Sequence, residues 1–329
     1  MILQYFYMLR ELIIIFIFSC FLQIYCFGQE PDPGPGYQMM MINNPSLVGS
    51  GGDGELRLSY LNFFPGNGYN LHSVYFSYDS YFQILHGGAG IYLADDYLGG
   101  IINDFRGGLS YAYFLQAGKD LFINAGLSAS LYHRGFNFDN AILPDQIDPL
   151  GGATVPSSEV LALSGRTVFD VGAGFLFISG KFSGGFSISH LAEPDLSTTG
   201  NSNERLKRKV LVHLSGDFFL NESQNLKIQP LTYLELQRSY LVYGAGAALA
   251  SRYLSVNAII MQDNSRNLNI QTGFSLTAGR ISVYYNYRFN AISGNKFLPF
   301  SLLHETGLAF GLNNVEKRNT IKTINFPKM

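Results

Sequence analysis

Tryptophan is absent from the 329 residues, and charge is scarce: Asp, Glu, Lys and Arg together make 14% of the chain, against roughly 25% in an ordinary soluble domain. Cysteine occurs twice, at Cys20 and Cys26, both inside the one long apolar run, Leu12 to Phe27. Beyond that run no thiol remains to pair, which excludes disulfides as the source of stability. Excess charge of either sign is lacking too, and a formal net charge of −2 leaves no footprint for a nucleic acid. After Phe27 no stretch stays apolar over the length a membrane helix needs. If this chain meets a membrane, it meets it through strands. What is plentiful is glycine, with 36 residues, and Phe and Tyr, which supply the whole aromatic content of 15%. Turn formers beside strand formers point to an all-β protein.

The N-terminus has the layout of an export signal. Arg10 precedes the apolar run, and Gly28 ends it before the polar "QEPDPGPG". A positive flank, an apolar core and small residues before a polar segment describe a secretory signal peptide, with cleavage expected after Gly28. A lipid anchor on Cys20 or Cys26 and an uncleaved, rather short helix are the other readings of the same residues.

Downstream, apolar and polar residues alternate in about fourteen stretches. In "LFINAGLSASLYHRG" (121–135), Leu121, Ile123, Leu127 and Leu131 share one face, while Asn124, Ser128 and Ser130 share the other. In "LNIQTGFSLTA" (268–278), Ile270, Phe274 and Leu276 oppose Asn269, Gln271 and Ser275. Most stretches run longer than the five or six residues usual in globular strands and match the nine to eleven of a tilted membrane strand. Counted in order, the connections after strands four, six, ten and twelve are tight ("AGKD", "SGK", "ASR", "TAGR"). Those after strands three, five, seven and thirteen (95–104, 134–166, 194–209, 290–304) are long and polar. A sandwich has no reason to sort its loops by length. A transmembrane antiparallel β-barrel of about fourteen strands does, with short periplasmic turns and longer extracellular loops.

The expected organisation is therefore a signal peptide at 1–28, an N-terminal periplasmic or plug segment at 29–53, an outer-membrane barrel at 54–313 and a basic periplasmic tail at 314–329. Side chains alone do not fill a barrel this wide. Gln29 to Ser50 and the loop 134–166 are the stretches available to occupy the lumen. Tyr111, Tyr113, Tyr132 and Tyr285 are expected at the membrane interfaces. Pro230 weakens one strand and leaves the count open by two.

Little in the chain reads as chemistry. Asp95 and Asp96 in "LADDYLGG" lack a third ligand at calcium-loop spacing and read as a solvated turn. His72, His86, His133, His190, His213 and His304 never pair at metal-ligand spacing and read as strand or rim residues. Gly244 and Gly246 sit within an alternating strand, where close packing explains them better than a nucleotide does. No catalytic set can be placed, and no cofactor or metal is expected. The basic cluster Arg205, Lys207, Arg208 and Lys209 falls in an outer loop, where it either contacts lipopolysaccharide phosphates or is solvated. Gly307, Phe310 and Leu312 in the last strand are similar to the signal read by the barrel assembly machinery.

Several blocks resemble one family. "YQMMMINNPSLVGS" (37–50) is similar to the N-terminal motif of the PorP/SprF family, carried here by Tyr37, Asn44, Pro45 and Gly49, with Ser46 and Val48 where the family has alanines. "GAGIYLADDYLGG" (88–100), the stretch 108–149 and "FDVGAGFLFISGKFSGGFSISHLAEP" (169–194) resemble further family blocks in the same order. The tail "KTINFPKM" resembles the family's basic, proline-containing end. The resemblance implies an outer-membrane protein of Bacteroidota, tied to type IX secretion and gliding motility. It implies a non-enzymatic role in secreting or surface-anchoring a large adhesin with a C-terminal sorting domain. It implies partners in the periplasmic ring or peptidoglycan-binding parts of that machinery. In the block of greatest likeness, Asp145 and Asp148 are candidates for contact with that cargo, or the stretch is a turn made by Pro144 and Pro149. Lys317, Arg318, Lys322 and Lys328 are candidates for contact with a periplasmic partner. The alternative function is a passive outer-membrane channel or uptake barrel for a small or hydrophobic solute.

Overall fold

A strand in hydrocarbon has no water to satisfy its N–H and C=O groups, so each ladder needs a neighbour on both sides. The computed structural model meets that condition by closing fourteen antiparallel strands on themselves. It describes residues 39–68, 71–138, 144–148, 152–153, 165–197, 204–220, 225–294 and 298–312. The strands are β1 Glu55–Phe63, β2 Leu71–Phe82, β3 Gly87–Leu98, β4 Ile102–Gln116, β5 Leu121–Phe136, β6 Arg166–Ser179 and β7 Phe182–Ser189. The second half adds β8 Lys209–Gly216, β9 Leu226–Gln237, β10 Tyr240–Ser251, β11 Leu254–Asp263, β12 Leu268–Ala278, β13 Ile281–Ile292 and β14 Ser301–Gly311. Each pairs with its neighbours in sequence, and β14 returns to β1 from Glu55↔Gly311 to Phe63↔Leu303. No described helix is long and apolar enough to cross a membrane.

The faces are inverted relative to a water-soluble protein. On β5, Leu127 and Leu131 point outward at 65% and 58% exposure, whereas Asn124 and Tyr132 point inward at 2%. The same holds on β12, where Phe274 and Leu276 are exposed and Gln271 and Ser275 buried. Such an exterior is stable only against acyl chains, because water would penalise each exposed leucine and phenylalanine.

Fourteen strands are what the alternation predicts, and Pro230 does not divide β9. It lies where the pairing of β8 with β9 lapses, between Leu231↔Ser215 and Ile228↔Phe218, so its missing N–H removes no bond from that ladder. Two expectations need correction. The segment 95–104 is not a long loop: β3 and β4 extend through it to a turn at 99–101, with Gly99 and Gly100 at positive φ. Asp95 and Asp96 are thus strand residues, not turn residues. Tyr132 belongs to no interfacial girdle, since it shares the inward parity of Asn124, whereas Tyr111 and Tyr113 do face outward.

Candidate functional site in the barrel lumen

The stretch just before β1 doubles back against the inner wall. One helical turn, Met40–Asn43, is followed by a 3-10 turn, Pro45–Leu47, which Asn44 caps. Asparagine and proline suit these places, because the side-chain oxygen accepts from the turn's free N–H groups and proline presets the first φ. Asn44 Oδ1 accepts from Ser46 N at 3.0 Å and from Ser46 Oγ at 2.6 Å. Its amide nitrogen reaches the carbonyl oxygens of Phe175 on β6 and Phe186 on β7, both at 3.4 Å, and lies 3.3 Å from His213 Nε2 on β8. Asn124 on β5 donates to Ser46 O at 3.4 Å, and Ser187 on β7 donates to Asn43 O at 2.5 Å. Asn44 and Ser46 are fully buried.

The wall is hollowed to receive this turn. A Cβ built on Gly126 of β5 would lie 2.3 Å from Ser46 N, and one on Gly174 of β6 would lie 2.1 Å from Asn44 Oδ1. On Gly185 of β7 it would meet His213 Nε2 at 2.7 Å, and on Gly88 of β3 it would meet Val48 O at 2.0 Å. Only glycine leaves room for the turn's backbone at Gly88 and Gly126 and for the Asn44 and His213 side chains at Gly174 and Gly185. Gly49, at φ +69°, carries the chain onward and donates its N–H to Asp79 Oδ2 at 2.8 Å. Asp79 is also ion-paired with the buried Arg57, which reaches Glu55 at 2.8 Å.

Apolar side chains extend from both flanks of the turn. Leu47 packs with Leu176, Leu211, Val242, Ile259 and Met261 on one side. Met39, Met41 and Val48 pack with Leu61, Tyr75, Tyr92 and Leu303 on the other. Residues 39–48 therefore bridge the lumen between opposite walls. The chain leaves beside the short turns, where Gly52 O accepts from Tyr81 N at 3.2 Å and Gly54 O from Leu312 N at 2.8 Å.

Toward the long-loop end the same wall turns ionic. Ser73, Asp96, Asp104, Arg134 and Arg166 stand directly opposite one another across β2 to β6. Arg134 clamps Asp104 with two hydrogen bonds of 2.8 and 2.7 Å, and Tyr132 donates to the same carboxylate at 2.6 Å. Arg106 pairs with Asp96 at 2.5 Å. The connection after β7 folds onto this wall: Leu196 and Leu206 bury against Tyr132, and Arg166 donates to Ser197 O at 2.5 Å. In that connection Lys207 donates to Glu193 at 3.0 Å, and this bond with the nearby Arg208 holds the Glu193 carboxyl below the usual range. Hydrogen bonds from Ser197 do the same for Asp195.

The residues singled out in the sequence separate accordingly. Asn44, Pro45 and Gly49 meet in the lumenal seat. Tyr37, Pro149, the signal segment and the tail with Lys317, Arg318, Lys322 and Lys328 lie outside the described residues. Pro144 opens a 3-10 turn and Asp148 pairs with Gly152 in a small ribbon, in the long connection between β5 and β6; Asp145 is exposed. The basic cluster does not act together. Arg205 and Arg208 are exposed and Lys207 is partly so, but Lys209 points into the lumen and bonds Glu235 at 3.0 Å, so it makes no lipopolysaccharide contact. Asp96 is likewise committed to Arg106. Among the described residues no group of three or more His, Asp or Glu side chains could hold a metal. Sequence reasoning did not single out Gly88, Gly126, Gly174, Gly185 or Asp79, and it read His213 only as a strand or rim residue. A usable signal was present, since glycines at inward positions of successive strands have no turn to make.

A closed barrel with an apolar exterior and a lumen bridged by its own N-terminal stretch defines a β-barrel membrane protein. The chain belongs to the PorP/SprF family of type IX secretion system membrane proteins, whose family model matches residues 37–298. No curated protein matches the sequence. Among solved structures, the P. putida toluene transporter TodX is similar at 10% identity and a TM-score of 0.45, over 82% of this chain and 90% of that one. Omp33 of Acinetobacter baumannii is similar at 10% identity and 0.40, over 80% and 99%. KdgM porin gives 6% and 0.37, over 78% and 98%.

Proposed function

We propose that this protein is an outer-membrane, non-enzymatic component of a type IX secretion system, needed to secrete a large adhesin with a C-terminal sorting domain or to anchor it at the cell surface. Residues 1–28 direct export and are removed. Family membership over residues 37–298 supports the association with the secretion machinery. The observation that carries the reading against a passive channel is the bridged lumen: a turn with two fully buried side chains, Asn44 and Ser46, stands where a solute path would run. Cargo then engages a loop face, where Asp145 is exposed, and the C-terminal tail meets a periplasmic partner. Arg205 and Arg208 face lipopolysaccharide, and the final strand addresses the barrel assembly machinery.

Deleting the gene in its native host, with quantification of sorting-domain adhesins at the surface and in the medium, tests the secretion role. The expected result is loss of one adhesin from the surface, restored by complementation. Unchanged adhesins, together with steady conductance of the purified protein in planar bilayers, would transfer the assignment to a solute channel.

A further inference from the structure

We infer that the lumenal seat is a peptide-binding site whose ligand is an Asn-Pro-small turn, supplied in cis by residues 44–46 and exchangeable for the same turn supplied in trans. The inference rests on barrel geometry, not on the secretion reading, and a protein that failed the secretion assay would still be subject to it.

Three observations carry it. The fourteen-strand ladder closes without help from residues 39–53, so the barrel's continuity does not depend on what occupies the seat. The seat nevertheless has its own chemistry. On three successive strands, Gly126 leaves room for the turn's backbone at Pro45 and Ser46, Gly174 for the Asn44 side chain, and Gly185 for the His213 ring and the Asn44 amide. Two strand carbonyls and His213 then read the asparagine side chain, and the Asn124 amide reads the carbonyl of Ser46, two residues on. A wall built only to be filled would carry apolar side chains there, as it does on both flanks. Lastly, Asn44 and Ser46 are tied to Phe175, Phe186, His213 and Asn124 by hydrogen bonds that involve no carboxylate, ammonium or guanidinium group. A contact to a carboxylate follows at the Gly49 N–H, which donates to Asp79 three residues beyond the turn. Bonds of this kind are modest individually and are readily exchanged for equivalent ones. The ligand class follows from the contacts: asparagine for its amide, proline for the preset turn, and a small third residue because Ser46 is fully buried with its Oγ donating to Asn44 Oδ1 at 2.6 Å.

Tethering gives the cis turn an effective concentration of about millimolar, so a free peptide competes only when the cis turn is weakened. The test uses the full-length protein in detergent with Ser46→Cys, comparing thiol labelling at position 46 by mass spectrometry with and without Asn44→Ala. Labelling should be slow in the parent and about tenfold faster or more with Asn44→Ala, which loses several buried hydrogen bonds at once. A dye-labelled peptide of residues 37–53 should then bind the full-length Asn44→Ala protein, and the same peptide carrying alanine at position 44 should not. Gly174→Leu, which fills the seat, should abolish that binding while the barrel keeps its heat-modifiable gel migration. Continued protection of position 46 in the Asn44→Ala protein would overturn the proposal. So would equal binding of the two peptides, a comparison that needs no second variant to fold.

Discussion

The middle of the lumen and its long-loop end are built on the same strands, β3 to β6, by opposite means. In the middle the wall is emptied of side chains, with Gly126 receiving the backbone of Pro45 and Ser46 and Gly174 the side chain of Asn44. Toward the long loops it is crowded and charged, with Asp96, Asp104, Arg106 and Arg134 satisfying one another across the strands. One strand thus serves two ends. Charges at that end pair chiefly within the wall, with the connection after β7 adding Glu204 beside Arg134 and the Ser197 carbonyl on Arg166, whereas a glycine surface is completed only by what lies on it. The first is a structural closure, the second a binding surface.

The ionic end carries the largest expected effect. Asp104→Ala leaves the inward-facing Arg134 without its clamp, and loss of one partner of a buried pair costs about 3–5 kcal/mol. The expected outcome is a clear drop in the urea midpoint of the detergent-solubilised barrel, with the seat intact by position-46 labelling. Next comes the lipid face opposite the seat. Leu127→Arg, outward beside Gly126, should destabilise the barrel in a bilayer by about 2–4 kcal/mol, the cost of a cation near the membrane midplane. Unfolding titrations in lipid vesicles measure it, and a neutral result would mean that face does not touch lipid.

The smallest effect concerns the connection after β7. The Glu193 carboxyl titrates below the ordinary range because Lys207 bonds its ionised form. A depressed value in the folded state adds stability that is present above the ordinary carboxylate range and lost only as pH falls through the depressed value. Limited proteolysis of this connection should therefore stay flat from neutral pH through the ordinary carboxylate range and rise below it. In Glu193→Gln it should show no such step. Barrel unfolding should be unchanged in that variant, because the pair sits at a solvated rim.

Much of the fold was legible because its rule is local. Alternation at period two assigned the inward and outward residues of β5 and β12, and the tight links marked the even-numbered turns. Errors arose where local reading borrowed a stereotype. "ADD" resembles a turn by composition, yet Asp95 and Asp96 sit within β3 because Arg106 on the next strand takes up the inward carboxylate. Tyr132 looks interfacial by type, but parity turns it inward to Asp104. Lys209 closes a basic run in sequence and leaves it in space, because it begins a strand and Glu235 stands within reach on the neighbouring one.

The amino-acid pattern by itself determined that the chain is a long-stranded barrel with an oily outside, because side-chain alternation and turn length are properties of neighbours along the chain. Where the family motif goes, and why it needs glycines more than 70 positions away, only the closed structure decided. Gly126, Gly174, Gly185 and His213 become one surface through the registers of β5 to β8. Those registers are set by pairing between strands, which no single stretch of sequence contains.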